Sequence, residues 1–131
     1  REEPVGGCSD EIRNRVLELV NITRALRGSA PLRSQSQLTR SAQAHSEAMA
    51  LRGILSHDGW VDFIFAAGFD GNAIGENIAY GYSSPEAVMS GWNSSSGHYA
   101  NIINPEFDVI GIGCTTDARG AVWWVQNFGG Y

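Results

Sequence analysis

The chain contains no lysine, only two cysteines and no long apolar run. All nine basic residues are therefore arginines, and 14 acidic residues give a formal net charge of -5 at pH 7. A mildly acidic surface disfavours sequence-independent binding to nucleic acid. The longest apolar stretch, Phe63 to Phe69, is far shorter than the ~20 residues that a membrane helix needs. We expect no nucleic-acid partner and no membrane span.

The two cysteines are far apart, with Cys8 near the N terminus and Cys114 in a predicted late strand. Such spacing excludes a zinc knuckle. A disulfide between them would close most of the chain and stabilise the fold by roughly 4 kcal/mol on the loop-entropy model. The alternative is two unrelated thiols, one of them buried. We favour the disulfide, and with it a secreted, extracytoplasmic location.

The length of 131 residues suits one domain with a core of its own. We expect a single domain over residues 1–131, in which residues 1–8 form an N-terminal extension. No signal peptide is evident, and Arg1-Glu2-Glu3-Pro4 is interpreted as the start of a trimmed or mature form.

Four helices are predicted from capping residues and apolar spacing. The first starts after Ser9 and ends at Gly28, and the second runs from about Gln35 to Arg52. A short helix follows over Trp60 to Ala67, and Ser84-Pro85-Glu86 starts the fourth. The serine and glycine run Ser94 to Gly97 is predicted to be a plain loop.

The second helix places a histidine on its apolar face. Leu38, Ala42, His45 and Met49 recur at helical spacing on that face. The simplest interpretation makes His45 a partly buried core histidine whose ring is hydrogen-bonded. The alternative is that His45 belongs to a functional site.

Three segments are predicted to be strands, namely Ile74 to Tyr82, Phe107 to Cys114 and Val122 to Phe128. The last two form a hairpin around the polar turn Thr115 to Gly120. Bulky side chains on both faces of the final strand indicate a sheet that is covered on both sides. We therefore predict an α+β domain, a three-layer α-β-α sandwich with a small central antiparallel sheet.

Two histidines bracket the tripeptide Gly75-Glu76-Asn77, with His57 before it and His98 after it. Glu76 shares one side of its predicted strand with Ile74 and Ile78. A buried carboxylate is costly without a partner, so Glu76 should pair with a cation, a donor or a metal. The alternative is a side chain that points to solvent at the strand end. Two imidazoles and a carboxylate are what a metal or proton-transfer site requires.

Six short motifs follow one another along the chain in a fixed order. They are Leu38 with Ala42, His45 and Met49; Ser56-His57; Gly75-Glu76-Asn77-Ile78-Ala79; Trp92 with Ser96-Gly97-His98; Ile110-Gly111-Ile112-Gly113; and Trp124-Val125-Gln126-Asn127-Phe128. Their order resembles the secreted CAP superfamily, the group of cysteine-rich secretory, antigen 5 and pathogenesis-related 1 proteins that share the SCP domain. The compact length and the five residues between Trp92 and His98 resemble its bacterial branch.

This resemblance implies an α-β-α sandwich with a central cleft. In many members the cleft holds two histidines and two glutamates, and several members bind zinc or another divalent ion there. His57, Glu76 and His98 correspond to three of these four residues. The position of the second glutamate is Ser95 here, and Glu86 lies nine residues away, about half a helical turn out of phase.

The residues leave several kinds of site open. His57 and His98 would bind a divalent metal, most simply zinc, with Glu76 as a ligand or as the group that orients a ring. A metal-free polar pocket or a purely structural network would use the same side chains. We expect Asn77, Ser95, Ser96 and Tyr99 to line the cleft or to support its ligands. Tyr80 and Tyr82 are candidates for its rim.

Our preferred interpretation is a secreted, non-catalytic domain whose cleft binds a metal ion or a small ligand. The alternatives are a metal- or general-base-assisted hydrolase of peptides or cell-envelope material, and a protein- or lipid-interaction module. No sequence motif places the elbow or the oxyanion hole of a serine hydrolase at the serines before His98. The missing carboxylate at Ser95 also disfavours catalysis, because a hydrolase normally needs a separately placed base or electrophile.

Overall fold

A computed structural model describes residues 6–131, so the interpretation of the first four residues as a trimmed start lies outside the described residues. The described part contains five helices and five strands. The helices are α1 (Asp10–Leu26), α2 (Ser36–Arg52), α3 (Trp60–Ala66), α4 (Pro85–Asn93) and α5 (Ser96–Ile103). The strands are β1 (Gly6–Gly7), β2 (Arg33–Ser34), β3 (Ala73–Tyr80), β4 (Val109–Thr116) and β5 (Val122–Gly130).

Local capping chemistry sets where the predicted helices begin. The Ser9 hydroxyl accepts from the backbone N–H of Ile12 at the start of α1, and the Ser84 hydroxyl accepts from Ala87 at the start of α4. Gln35 caps α2 with its side-chain oxygen, which lies 2.8 Å from the nitrogen of Leu38. Gly53 ends α2 in the left-handed conformation that glycine adopts without strain. These four helices match the prediction to within two residues.

The predicted loop over Ser94 to Gly97 is wrong, because Ser96 and Gly97 form the first turn of α5. Only Ser94 and Ser95 separate α4 from α5. Serine, glycine and asparagine have low helix propensity, so the local sequence does not indicate this helix. Tertiary contacts stabilise it instead, since Ile102 is buried in the core.

The strands form one sheet in the order β1-β4-β5-β3, and β2 pairs with the outer edge of β4. The pairings of β1 with β4, β4 with β5 and β5 with β3 are antiparallel, whereas the two-residue β2 runs parallel to β4. Two residues of the expected N-terminal extension thus belong to the sheet. Within the described residues β3 is an edge strand, and Glu76 lies on it opposite Asn127 of β5.

Helices cover both faces of this sheet. The helices α1, α4 and α5 pack on one face, where Trp124 and Phe128 join their core. The helices α2 and α3 pack on the other, where Trp123 and Val125 contact α2. The predicted three-layer α-β-α sandwich is confirmed, including the bulky side chains on both faces of β5.

Two glycines of β4 allow α2 to approach the sheet closely. A Cβ atom on Gly111 would lie 2.0 Å from the backbone carbon of Leu38, and one on Gly113 would lie 2.4 Å from that of Ala42. Backbone atoms cannot move aside as a flexible side chain can. This close approach carries the buried face of α2, with His45, down onto β5 and β3.

A disulfide joins Cys8 to Cys114, as predicted, and the described residues contain no free cysteine. It links the start of α1 to β4 across 106 residues of sequence. Among residues 6–131, none of the helices combines the length and apolarity needed to cross a membrane.

Candidate functional site

Glu76 is the centre of a buried polar cluster on the α2 face of the sheet. Only 6% of the residue is exposed, and both carboxylate oxygens have partners. Nδ1 of His45 lies 2.8 Å from Oε2, and Nδ1 of His57 lies 2.8 Å from Oε1. The Asn127 amide donates to Oε2 at 2.9 Å. The expectation that this carboxylate is buried and paired is therefore correct, and the solvent-facing alternative is not.

His45 is part of this cluster. Its ring is buried, stacks on Phe63 with centroids 5.1 Å apart, and places Nε2 2.9 Å from the carbonyl oxygen of Ser56. The prediction of a hydrogen-bonded core histidine is correct, although the ring is buried rather than partly buried, and the contact with Glu76 also adds His45 to the site. The sequence signal was a histidine on the apolar face of α2, where a polar ring requires a partner.

His57 lies in the connection between α2 and α3, and its side chain is 52% exposed. Its Nδ1 is bonded to Glu76, whereas its Nε2 has no hydrogen-bond partner within the described residues. A surface cavity of about 420 Å³ adjoins the ring and is lined by residues 57–62. One nitrogen of the His57 ring thus contacts the buried carboxylate, while the side chain is half-exposed to solvent.

His98 lies half-buried in the first turns of α5. Burial lowers the pKa of its imidazole, and the nearby His57 lowers that pKa further. The fold has therefore brought the two histidines within electrostatic reach of each other although 41 positions separate them in the sequence. Because burial favours the neutral ring, the lone pair of His98 is available to a ligand over more of the pH range.

A chain of amides links α5 to β3. The Asn77 amide donates to the carbonyl oxygen of His98 at 3.1 Å and to Gln126 at 3.0 Å. Asn101 of α5 donates to the backbone oxygen of Glu76 and to the side-chain oxygen of Asn77. Asn77 thus contacts the backbone that carries His98.

Arg24 of α1 anchors the other end of α5. Its guanidinium is buried and donates to the carbonyl oxygens of Ala30, Ile102, Asn104 and Phe107. Burial lowers its pKa, although neighbouring Asp108 opposes that shift. A cation at the carboxyl end of α5 also complements the helix dipole.

The remaining expected cleft residues are less closely tied to Glu76. Ser95 is the N-cap residue of α5, and its side chain makes no capping bond. Ser96 is the exposed first residue of α5. The centroid of the Tyr99 ring lies 5.7 Å from the guanidinium carbon of Arg27, the residue that follows α1. Tyr80 and Tyr82 are exposed, and the Tyr80 ring packs on Trp123.

Asn127 was missed by the sequence reasoning. It lies on β5, with Gln126 beside it on the opposite face, and both residues are fully buried. The Ser41 hydroxyl donates to Oδ1 of Asn127 at 2.7 Å, which directs the amide Nδ2 towards Glu76. The available signal was a pair of amides within a strand otherwise made of core residues.

Within residues 6–131, no three histidine, cysteine, aspartate or glutamate side chains form a group that could hold a metal ion. The oxygens of Glu76 are directed to its two histidines and Asn127 instead. The cluster therefore contains an oriented, half-exposed imidazole with a carboxylate behind it and a second imidazole nearby. A cavity of about 500 Å³ with mainly apolar walls is lined by His45 and other residues of α2, by α3 and by their connection.

The chain matches the model of the cysteine-rich secretory protein family, CAP, over residues 17–128. It is 35% identical over 120 residues to the uncharacterized protein YkwD of Bacillus subtilis, covering 88% of this chain and 46% of that protein. The chain spans less than half the length of the curated relatives it matches.

Solved structures show the same fold. An extracellular SCP-domain protein from Bacillus anthracis matches with a TM-score of 0.86 and 27% identity, over 93% of this chain and 41% of that one. The structure of NaASP2 with Zn²⁺ matches with a TM-score of 0.72 and 14% identity, over 97% and 83% of the two chains. The resemblance that the motif order indicated is confirmed. This chain belongs to the cysteine-rich secretory protein (CAP) family.

Proposed function

We propose that this CAP domain is an extracytoplasmic, non-catalytic binding domain that takes a divalent metal ion, with zinc as the preferred ion, between His57 and His98. The single observation that carries the proposal is the bond from His57 to the buried Glu76. Histidines that ligate metals almost always direct their other ring nitrogen to a carboxylate, a carbonyl or water. The half-exposed ring of His57 has that arrangement.

The two imidazoles have the chemistry of metal ligands. With Nδ1 turned to Glu76, His57 presents Nε2 to solvent. Burial lowers the pKa of His98 and so favours the neutral ring, which is the form that ligates zinc. The structure of NaASP2 with Zn²⁺ supports zinc as the ion to test first.

Glu76 acts in this proposal as the group that orients His57. A metal ion on Glu76 would compete with the partners that its oxygens already have, namely His45 and Asn127 on Oε2 and His57 on Oε1. Breaking a bond inside this cluster would leave a buried polar group unpaired, at a cost of about 1–3 kcal/mol. The orienting role needs no such rearrangement.

Two protein ligands support binding better than catalysis. Catalytic zinc sites usually have three protein ligands and keep the fourth position for water or substrate. The position that carries a second glutamate in many family members is Ser95 in this chain. We therefore favour a binding domain over the hydrolase alternative.

The proposed location outside the cytoplasm has two supports. The disulfide between Cys8 and Cys114 belongs in an oxidising compartment. A solved structure of the same fold is an extracellular protein from Bacillus anthracis.

Zinc titration by calorimetry tests the proposal. We expect the wild type to bind one zinc ion and the double variant His57→Ala, His98→Ala to lose that binding. Glu76→Gln should weaken it about 10–100-fold, the usual cost of losing a carboxylate behind a ligating histidine. Tyr131→Phe is the control, since the exposed Tyr131 contacts Phe69 and Gln35 rather than the site. Equal binding by the wild type and the double variant would refute the site.

A further inference from the structure

His45, Glu76 and the Ser56-His57 dipeptide form a closed ring of hydrogen bonds. His45 contacts Glu76 through Nδ1 at 2.8 Å and the Ser56 carbonyl through Nε2 at 2.9 Å. Glu76 contacts His57 at 2.8 Å, and the peptide bond from Ser56 to His57 closes the ring. One buried histidine therefore contacts both the carboxylate behind His57 and the residue before His57.

The partners determine where the protons lie. The Ser56 carbonyl can only accept, so Nε2 of His45 carries a hydrogen. Oε2 of Glu76 already accepts from Asn127, and one proton lies between Oε2 and Nδ1 of His45. Oε1 then remains an acceptor, and Nδ1 of His57 is the donor to it.

We propose that His45 is a positioning residue that holds His57 in the tautomer with hydrogen on Nδ1, so that the lone pair of Nε2 points away from the cluster towards the ligand. The expected effect of His45 on zinc affinity rests on the proposed function, whereas its effect on the His57 tautomer does not. His45 acts through Glu76, whose Oε2 it occupies, and through Ser56, whose carbonyl it holds in place.

Burial gives the arrangement its rigidity. The side chains of His45 and Glu76 are 2% and 1% exposed, so water cannot replace the bonds between them. Phe63 stacks on the His45 ring and restricts its rotation. Within the described residues every buried side-chain nitrogen and oxygen has a hydrogen-bond partner, so a rotation of His45 would leave buried polar groups unpaired.

Nitrogen-15 NMR of the histidine rings in zinc-free protein at about pH 8, where an ordinary histidine is neutral, tests this directly. We expect His57 to show one tautomer, with a protonated Nδ1 and an unprotonated Nε2, and His45 to carry hydrogen on Nε2. A His57 ring with hydrogen on Nε2 and a bare Nδ1 would overturn the proposal. This spectrum needs no variant, so a folding defect cannot obscure it.

Two variants of His45 distinguish the effect of its ring stacking from the effect of its hydrogen-bond donors. His45→Phe keeps the stacking surface but removes both donors, and we expect it to populate both tautomers of His57 and to bind zinc about 10–100-fold more weakly. His45→Asn keeps a donor near the Nδ1 position and should lie closer to the wild type in both measurements. A single unchanged His57 tautomer and unchanged zinc affinity in His45→Phe would overturn the proposal.

The two measurements fail independently. Wild-type protein that shows the predicted His57 tautomer but binds no zinc would refute the metal site and leave the positioning role of His45 standing. Zinc binding with a His57 ring in the opposite tautomer would refute the positioning role of His45 and leave the metal site standing.

Discussion

At the scale of single residues, Glu76 shows how a buried charge is accommodated. Taking a carboxylate out of water is costly unless it is paired and hydrogen-bonded. Here three side chains from α2, the α2–α3 connection and β5 supply the partners. The strand pattern around Glu76 predicted that such partners exist. It could not identify His45, because the contact depends on how α2 lies across β3, which neither segment specifies alone.

His98 provides a pH test at this scale. Burial and His57 both lower its pKa, so in zinc-free protein it should titrate below the ordinary histidine value of about 6.5. The unfolded chain then binds the proton more readily than the folded one. The stability associated with a neutral His98 is therefore fully present above about pH 6.5 and is lost as the pH falls through the folded pKa.

Proton NMR of the His98 ring in the presence of a chelator measures the pH midpoint of its titration. His57→Ala should raise it while leaving it below 6.5, because burial is the larger cause and remains. The urea-unfolded chain is the control and should titrate near 6.5. An unchanged midpoint in His57→Ala would show that the two rings do not share a site.

At the scale of elements, the packing of α2 on β4 determines the position of His45. Gly111 and Gly113 remove the side chains that would otherwise separate the helix from the sheet. The glycine alternation was visible in the sequence as part of a family motif. Its physical reason, the contact with the backbone of Leu38 and Ala42, emerges only from the tertiary structure.

Gly111→Ala tests this close packing. The added methyl would meet the α2 backbone at 2.0 Å, so we expect a loss of about 3 kcal/mol or more in the free energy of unfolding, measured with urea. Gly97→Ala is the matched control, because nothing lies within 4 Å of its added methyl. Equal unfolding midpoints for the two variants would contradict the packing argument.

The start of the helix α5 could not be predicted from the local sequence. Its first turn contains serine and glycine, and only contacts made at a distance stabilise it, through Asn101, Ile102 and the Arg24 guanidinium. Local propensity therefore predicted a loop. The error matters for function, because this helix carries His98.

At the scale of the whole molecule, the three-layer architecture follows from patterns that the sequence contains. The bulky alternation of β5 predicted cover on both faces, and the widely spaced cysteines allowed the disulfide that the structure contains. The site is less predictable, because its parts lie on α2, the α2–α3 connection, β3, α5 and β5. Only the tertiary fold brings these residues together. The order of the motifs indicated a shared site, whereas the spacing of the residues in the sequence did not.

The most direct test of the account is a crystal structure of the wild-type protein with zinc, using diffraction data collected on both sides of the zinc absorption edge. We predict one anomalous peak, coordinated by Nε2 of His57 and by the ring of His98, with Glu76 still bonded to His45 and to Nδ1 of His57. The absence of a peak between the two histidines, or a peak on the Glu76 oxygens with His57 turned away, would contradict it.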